Sequence, residues 1–293
     1  MSDLAAAVER VWPGKDARVE VLGGGITNHN LKVEVDGKRY VLRVVGKDTN
    51  LLGIDRVVEL EATRAAAAVG VGPEVVAFVE PEGWLVTAFI EGERPAAERM
   101  REPNMLARVA DALRAFHDGR PIPGTFDPFR VVEAYRDTAL ERGGSIPEAY
   151  ERAHGIAQQI ARTRAGAPMK PCHNDLLNAN FLDDGERIRI VDWEYAGMGD
   201  VFFDLANFSI NHELGPNERS ALLRTYWGET RSENEGALEL MRFMSDFREA
   251  MWGVVQAAVS ELDFDFVAYA SGHFDRLRRT ASEQSFVSAL EAA

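Results

Sequence analysis

The string His173-Asn174-Asp175-Leu176-Leu177-Asn178-Ala179-Asn180, followed by Asp192 in Ile188-Arg189-Ile190-Val191-Asp192-Trp193-Glu194, carries the residue types of a phosphoryl-transfer centre. A hydroxyl attacking the γ-phosphate of ATP needs a carboxylate to accept its proton, and the Mg²⁺ that bridges the phosphates needs two further oxygen ligands. Asp175 can be the base, and Asn180 and Asp192 can hold the metal. The stretch from Asp175 to Asn180 fits a loop that enters a short strand, Asn180-Phe181-Leu182. The β-branched run over 188–191 fits a neighbouring strand that delivers Asp192 beside Asn180. The bland alternative is a polar turn with a capping aspartate. The apolar strand and second aspartate that follow at this spacing argue against it.

Such residues need a scaffold, and the chain is long enough to build one. Its 293 residues are 46% hydrophobic and 27% charged, the balance of a soluble globular protein rather than a disordered one. The formal charge of −14 argues against a phosphate-backbone partner, which would require a basic face, and suits a cationic substrate. Cys172 is the single cysteine, which excludes a disulfide framework, fits a reducing cytoplasm and reads as a buried apolar position. The first dozen residues read as an amphipathic helix without the basic segment and apolar core of a signal peptide, and no run is long enough to span a membrane.

Strands are predicted over 19–22, 30–35 and 40–45, the last two joined at Asp36-Gly37, a strong hairpin signal. A helix over 56–69 follows, stopped by Gly70 and Gly72-Pro73, and two more strands cover 75–79 and 84–90. After Gly92 the pattern turns helical, over 105–117, 131–142, 156–164, 217–227, 238–261 and 264–277, interrupted by the short strand pair that carries the catalytic string. The expectation is an α+β, bilobal fold. Residues 1–91 form an N-terminal nucleotide-binding lobe, an antiparallel sheet with one helix, and 92–293 a mostly helical catalytic and substrate lobe, hinged near 87–91.

In the nucleotide half, Gly23-Gly24-Gly25-Ile26-Thr27-Asn28 lies between two strands, where glycines let backbone N–H groups approach phosphates. Taken alone, a triple glycine in a hairpin is more often a plain turn. Support comes from Arg43, a lone cation on the apolar strand Tyr40-Val41-Leu42-Arg43-Val44, because a buried cation needs a partner. Glu59 on the following helix can pair with it and aim the guanidinium at the α- and β-phosphates. Glu61 is the competing partner, and the sequence leaves that choice open.

These residues together resemble the protein-kinase-like small-molecule kinases that include choline/ethanolamine kinases and aminoglycoside phosphotransferases. The resemblance covers nearly the whole chain: Gly24-Gly25-Ile26-Thr27-Asn28, Leu42-Arg43-Val44, Ile54-Asp55-Arg56 before Glu59, Gly72-Pro73, the string from His173, Val191-Asp192-Trp193-Glu194-Tyr195-Ala196 and Asp204-Leu205-Ala206-Asn207. It implies ATP and Mg²⁺ as cofactors and Asp175 as base. It further implies Asn180 and Asp192 as metal ligands, a phosphate cradle of Gly24, Gly25, Thr27 and Asn28, and adenine held by backbone groups around Thr87, Ala88 and Phe89. His173 and Asp204 are then supports of the catalytic loop.

Trp252-Gly253-Val254-Val255-Gln256-Ala257 and the run from Phe264 to Tyr269 look like choline kinases in particular, whose aromatic cage takes a quaternary ammonium. The matching positions are Tyr195, Trp252 and Tyr269, and aromatic faces do suit an ammonium that cannot donate hydrogen bonds. Two positions depart from that pattern. Glu249 stands where a further cage Trp is expected and Asn211 where a Glu is, which keeps selectivity for cations while admitting less methylated amines such as ethanolamine. An aminoglycoside or thiamine-type alcohol is the alternative acceptor, and a catalytically silent nucleotide-binding protein on the same fold the alternative class. The partner expected is a small-molecule alcohol, with no nucleic acid and no membrane, for a cytoplasmic monomer or homodimer.

Overall fold

The computed structural model describes residues 2–23, 28–46, 49–229 and 231–292. Gly24, Gly25 and Thr27 of the expected phosphate cradle lie outside these residues. Helix α1 (Ser2–Val11) precedes strands β1 (Ala17–Leu22), β2 (Asn28–Val35) and β3 (Lys38–Val45), and helix α2 (Arg56–Ala68) leads to β4 (Val75–Val79) and β5 (Trp84–Ala88). The five strands make one antiparallel sheet in the order β1-β2-β3-β5-β4.

Asp36 and Gly37 turn the β2–β3 hairpin with φ of 51° and 73°. Positive φ at both central residues gives the tight turn whose twist matches that of the strands. The turn sets the register, with Leu31 opposite Leu42 and Asn30 opposite Arg43. Alternation along β2 then buries Leu31, Val33 and Val35, which pack with Leu42, Val86 and, from α1, Ala7 and Val8. Asp55 caps α2 by accepting from the N–H groups of Val57 and Val58. The alanines of α2 at 62, 65 and 66 belong to the large core built mainly by the rest of the chain.

That remainder runs α3 (Pro103–His117), α4 (Pro128–Glu141), α5 (Ala149–Thr163), β6 (Met169–Cys172), β7 (Phe181–Asp183), β8 (Ile188–Ile190), β9 (Gly197–Asp200), α6 (Val201–Asn211), α7 (Pro216–Trp227), α8 (Ser232–Val259), α9 (Phe266–Thr280) and α10 (Gln284–Glu291). Two short antiparallel pairs, β7–β8 and β6–β9, stand where the sequence predicted one. Pro171, Gly197 and Gly199 weaken the strand signal of the second pair, which is bonded in register all the same. Helix α6 was not predicted either. All its residues from Val201 to Ile210 are buried, so it lacks the polar face that creates a period.

The two parts of the chain are stitched together where the backbone leaves the sheet. A Cβ at Gly92 would meet Asp183 O at 2.9 Å, and Glu93 and Asp183 exchange backbone bonds of 3.0 and 2.8 Å. Arg108 clamps the Asp183 carboxylate with two bonds of 2.7 Å. Helix α8 is buried all round from Ala237 to Gln256 and packs against α4, α6, α9 and α10. Among the described residues no helix is long and apolar enough to cross a membrane.

Candidate active site

The loop after β6 is held open by buried acceptors. Asp204 on α6, wholly buried, accepts from the backbone N–H of His173 at 2.8 Å and of Asn174 at 2.7 Å. Asn207, one turn on, accepts from Leu176 N at 2.5 Å. Burial would raise the Asp204 carboxyl, but the His117 hydrogen bond and the neighbouring histidines hold it below the ordinary range. The His173 ring spans the loop, with Nε2 3.0 Å from Val191 O and Nδ1 3.2 Å from Asp175 N. A carbonyl needs a donor and an amide an acceptor, so the ring is neutral with its proton on Nε2. Burial agrees, pushing its pKa down to about 4. Asn174 sits at φ 67°, in the left-handed region that asparagine tolerates, and its side chain donates to Tyr195 O.

This bracing presents Asp175 and Asn180 together. The Asn180 amide nitrogen donates to Asp175 O at 2.8 Å and lies 3.4 Å from its carboxylate, which leaves the amide oxygen for another partner. Burial pushes the Asp175 carboxyl up to about 8, against the pull of Arg248 and with Glu249, Asp192 and Glu194 adding to the rise. Asp192 follows β8 at φ 70°. Its Oδ1 is buried in an ion pair with Arg43 Nη1 at 2.7 Å. Asp192 and Asn180 line one cleft and offer a carboxylate and an amide oxygen, hard oxygen donors that fit Mg²⁺.

Arg43 and Glu59 pair at 2.5 Å, while Glu61 turns away to Arg64 and Arg120. Residues two apart on a helix face different sides, which decides between the two acids. The pair belongs to a network that the sequence did not reveal. Arg56 joins Glu59 at 2.6 Å, Glu194 at 3.2 Å and Asn28 at 3.0 Å, and Asn28 donates to Glu194 at 2.7 Å. Burial works against the Arg43 charge, but Asp192, Glu59 and Glu194 outweigh it and keep the guanidinium protonated.

Arg43, Glu59, Thr87, Ala88, Phe89, Asn180 and Asp192 line one cleft, closed by apolar Val41, Leu85 and Leu182. The N–H groups of Ala88 and Phe89 already donate to Glu74 O and Arg39 O. A ligand there must use carbonyls or the backbone beyond, at Ile90.

Tyr195, Glu249, Trp252 and Tyr269 come together on the other side of Asp175. Trp252 donates to the Tyr195 hydroxyl at 3.0 Å, and the Tyr269 hydroxyl donates to Glu249 at 2.8 Å. The Trp252 and Tyr269 rings meet edge to face at 5.5 Å. The expected open cage is altered in one respect, since the face of Tyr195 is covered by the Arg248 guanidinium at 4.4 Å. Arg248 and Arg56 are the site residues that sequence reasoning missed. The signal for Arg248 was a charge inside Phe247-Arg248-Glu249-Ala250-Met251, within a helix too apolar to expose every face. Asn211 bonds Leu176 O and Asn207, so it supports the loop.

Residues 18–236 match the model of a phosphotransferase enzyme family. Ethanolamine kinase 2 of Rattus norvegicus is 26% identical over a 313-position alignment that spans 96% of this chain and 80% of its own. A solved choline/ethanolamine kinase family protein from Mesorhizobium loti superposes with a TM-score of 0.85 at 33% identity, covering 99% of this chain and 98% of that one. LicA in complex with AMP shares the fold, with a TM-score of 0.79 at 21% identity over 98% of both chains.

Proposed function

The chain belongs to the phosphotransferase enzyme family, and from that premise we propose that it uses ATP and Mg²⁺ to phosphorylate the hydroxyl of choline or ethanolamine. It is a phosphotransferase with an alcohol group as acceptor, on a protein-kinase-like fold. The carrying observation is the station of Asp175. Its carboxylate lies between Asn180, which lines the nucleotide cleft, and Arg248, which belongs to the aromatic and acidic cluster.

In this reading Asp175 orients the acceptor hydroxyl and takes its proton as the oxygen attacks the γ-phosphate. Asn180 and Asp192 would hold the metal, which when bound would offset charge on the phosphates. Arg43, fixed by Glu59, meets phosphate oxygens; Gly24, Gly25, Thr27 and Asn28 cradle them, and the backbone around Thr87 to Phe89 faces adenine. Glu249 and the aromatic side chains receive the cationic end of the alcohol. Residues 1–91 then serve the nucleotide and 92–293 the acceptor, in a cytoplasmic enzyme acting as monomer or homodimer.

ATP consumption against choline, ethanolamine, thiamine and kanamycin tests the proposal. Turnover of the first two supports it; turnover of kanamycin or thiamine alone, or of none, sinks it. Arg43→Ala is expected to raise the KM for ATP about ten-fold, the scale of a lost charge-assisted bond, with a smaller change for the alcohol. Glu59→Gln should act in the same direction but less, and a rise confined to the alcohol's KM in steady-state kinetics would reassign both residues.

A base works only when deprotonated, so kcat/KM for the alcohol is expected to climb with pH until it levels above about 8. The folded Asp175 keeps a proton that the unfolded chain releases. Its contribution to stability is therefore present at low pH and lost as pH rises through about 8. A kcat/KM profile flat through neutrality would remove Asp175 as the titrating base.

A further inference from the structure

The acceptor cluster already contains a cation. Arg248 on α8 is 1% exposed, and no titration in the working range removes its charge. Its Nη1 lies 2.5 Å from Glu249 Oε1 and 3.5 Å from Asp175 Oδ1, and its guanidinium carbon is 4.4 Å from the centroid of the Tyr195 ring. Among the described residues, nothing hydrogen-bonds the buried Nε and Nη2. The guanidinium lies against the aromatic face.

An aromatic face within cation–π range serves one cation at a time, because a second meets both the volume and the charge of the first. A trimethylammonium group has no N–H and depends on such faces. An ammonium that keeps its N–H groups can donate to a carboxylate, and Glu249 offers one. Burial would raise the Glu249 carboxyl, but Arg248, His273 and the Tyr269 hydroxyl hold it below the ordinary range, so it stays charged. The Glu249 carboxylate offsets the guanidinium, and Asp175 adds a further negative charge once it has lost its proton, which keeps the pocket attractive to cations.

We infer that Arg248 is a specificity-determining residue of the acceptor site: it occupies the Tyr195 face that a quaternary ammonium requires, and so directs the enzyme to amino alcohols whose nitrogen carries N–H groups. This rests on the amino-alcohol reading above and goes further, in naming the substrate class and the residue that selects it.

The test is kcat/KM for ethanolamine and choline, measured on the native enzyme and on Arg248→Leu, with melting temperatures to show folding. The native enzyme should prefer ethanolamine by about ten-fold or more, and the leucine variant should shift the ratio about ten-fold towards choline, the scale of one desolvated cation–π contact. Arg248→Lys, which keeps a cation there, should retain the ethanolamine preference. A native enzyme that prefers choline overturns the inference whether or not any variant folds. A folded leucine variant with an unchanged ratio overturns it too and leaves the amino-alcohol reading standing. Failure of the native enzyme to use either alcohol overturns both.

Discussion

Asp175→Ala is expected to lower kcat about 10²–10⁴-fold, the usual worth of a positioned acid–base group, with the Kd for MgATP nearly unchanged. The separation of the two effects follows from position. Asp175 contacts Asn180 and Arg248 and is not part of the cleft wall that carries Arg43, Thr87 and Asp192. Removing it also leaves Arg248 with Glu249 as its one paired acid among the described residues, so the melting temperature should be measured beside the kinetics to separate lost chemistry from lost packing. Calorimetric titration with an ATP analogue gives the second number. Ordinary turnover in a folded Asp175→Ala enzyme would dismiss the base mechanism, and a matching loss of nucleotide affinity would move Asp175 to the metal.

Asp192 should behave differently, losing turnover and Mg²⁺-dependent nucleotide binding together. Asparagine is the better replacement, because φ at 192 is 70° and asparagine tolerates the left-handed region where alanine is strained. It also keeps the size while removing the charge that a divalent ion needs. MgATP at about 100 times its Kd should stabilise the native enzyme by about 2.7 kcal/mol, seen as a higher melting temperature. Asp192→Asn should lose most of that shift, and chelation of Mg²⁺ should abolish it in the native enzyme. A shift that survives the substitution in full would mean that the metal is held elsewhere.

What was legible in the sequence is what is local. Asp36-Gly37 fixed a two-residue turn, and with it the register that sets Asn30 beside Arg43. Asp175, Asn180 and Asp192 lie within one loop and one short strand pair, so their spacing in sequence nearly carries their spacing in space. The choice between Glu59 and Glu61 needed the orientation of α2, which depends on its alanines entering a core built mostly from distant residues. Helix α6 hid because it is apolar on every side, and the β6–β9 pair because proline and glycine occupy it. Arg248 was out of reach for a related reason. Its meaning depends on Tyr195, 53 positions away, and no periodicity relates a buried helix to the residue after a strand pair.

The burial of α8 over Ala237 to Gln256 has a consequence for how the molecule fluctuates. Amides on that stretch can exchange their hydrogens only by the largest openings of the fold, whereas β1, an edge strand whose Val19 and Val21 are 48% and 64% exposed, can open alone. Deuterium uptake should therefore be slowest around Arg248, Glu249 and Trp252 and fast along β1. In the proposed function, selection of the alcohol lies in the stiffest part of the protein and adaptability on the nucleotide side.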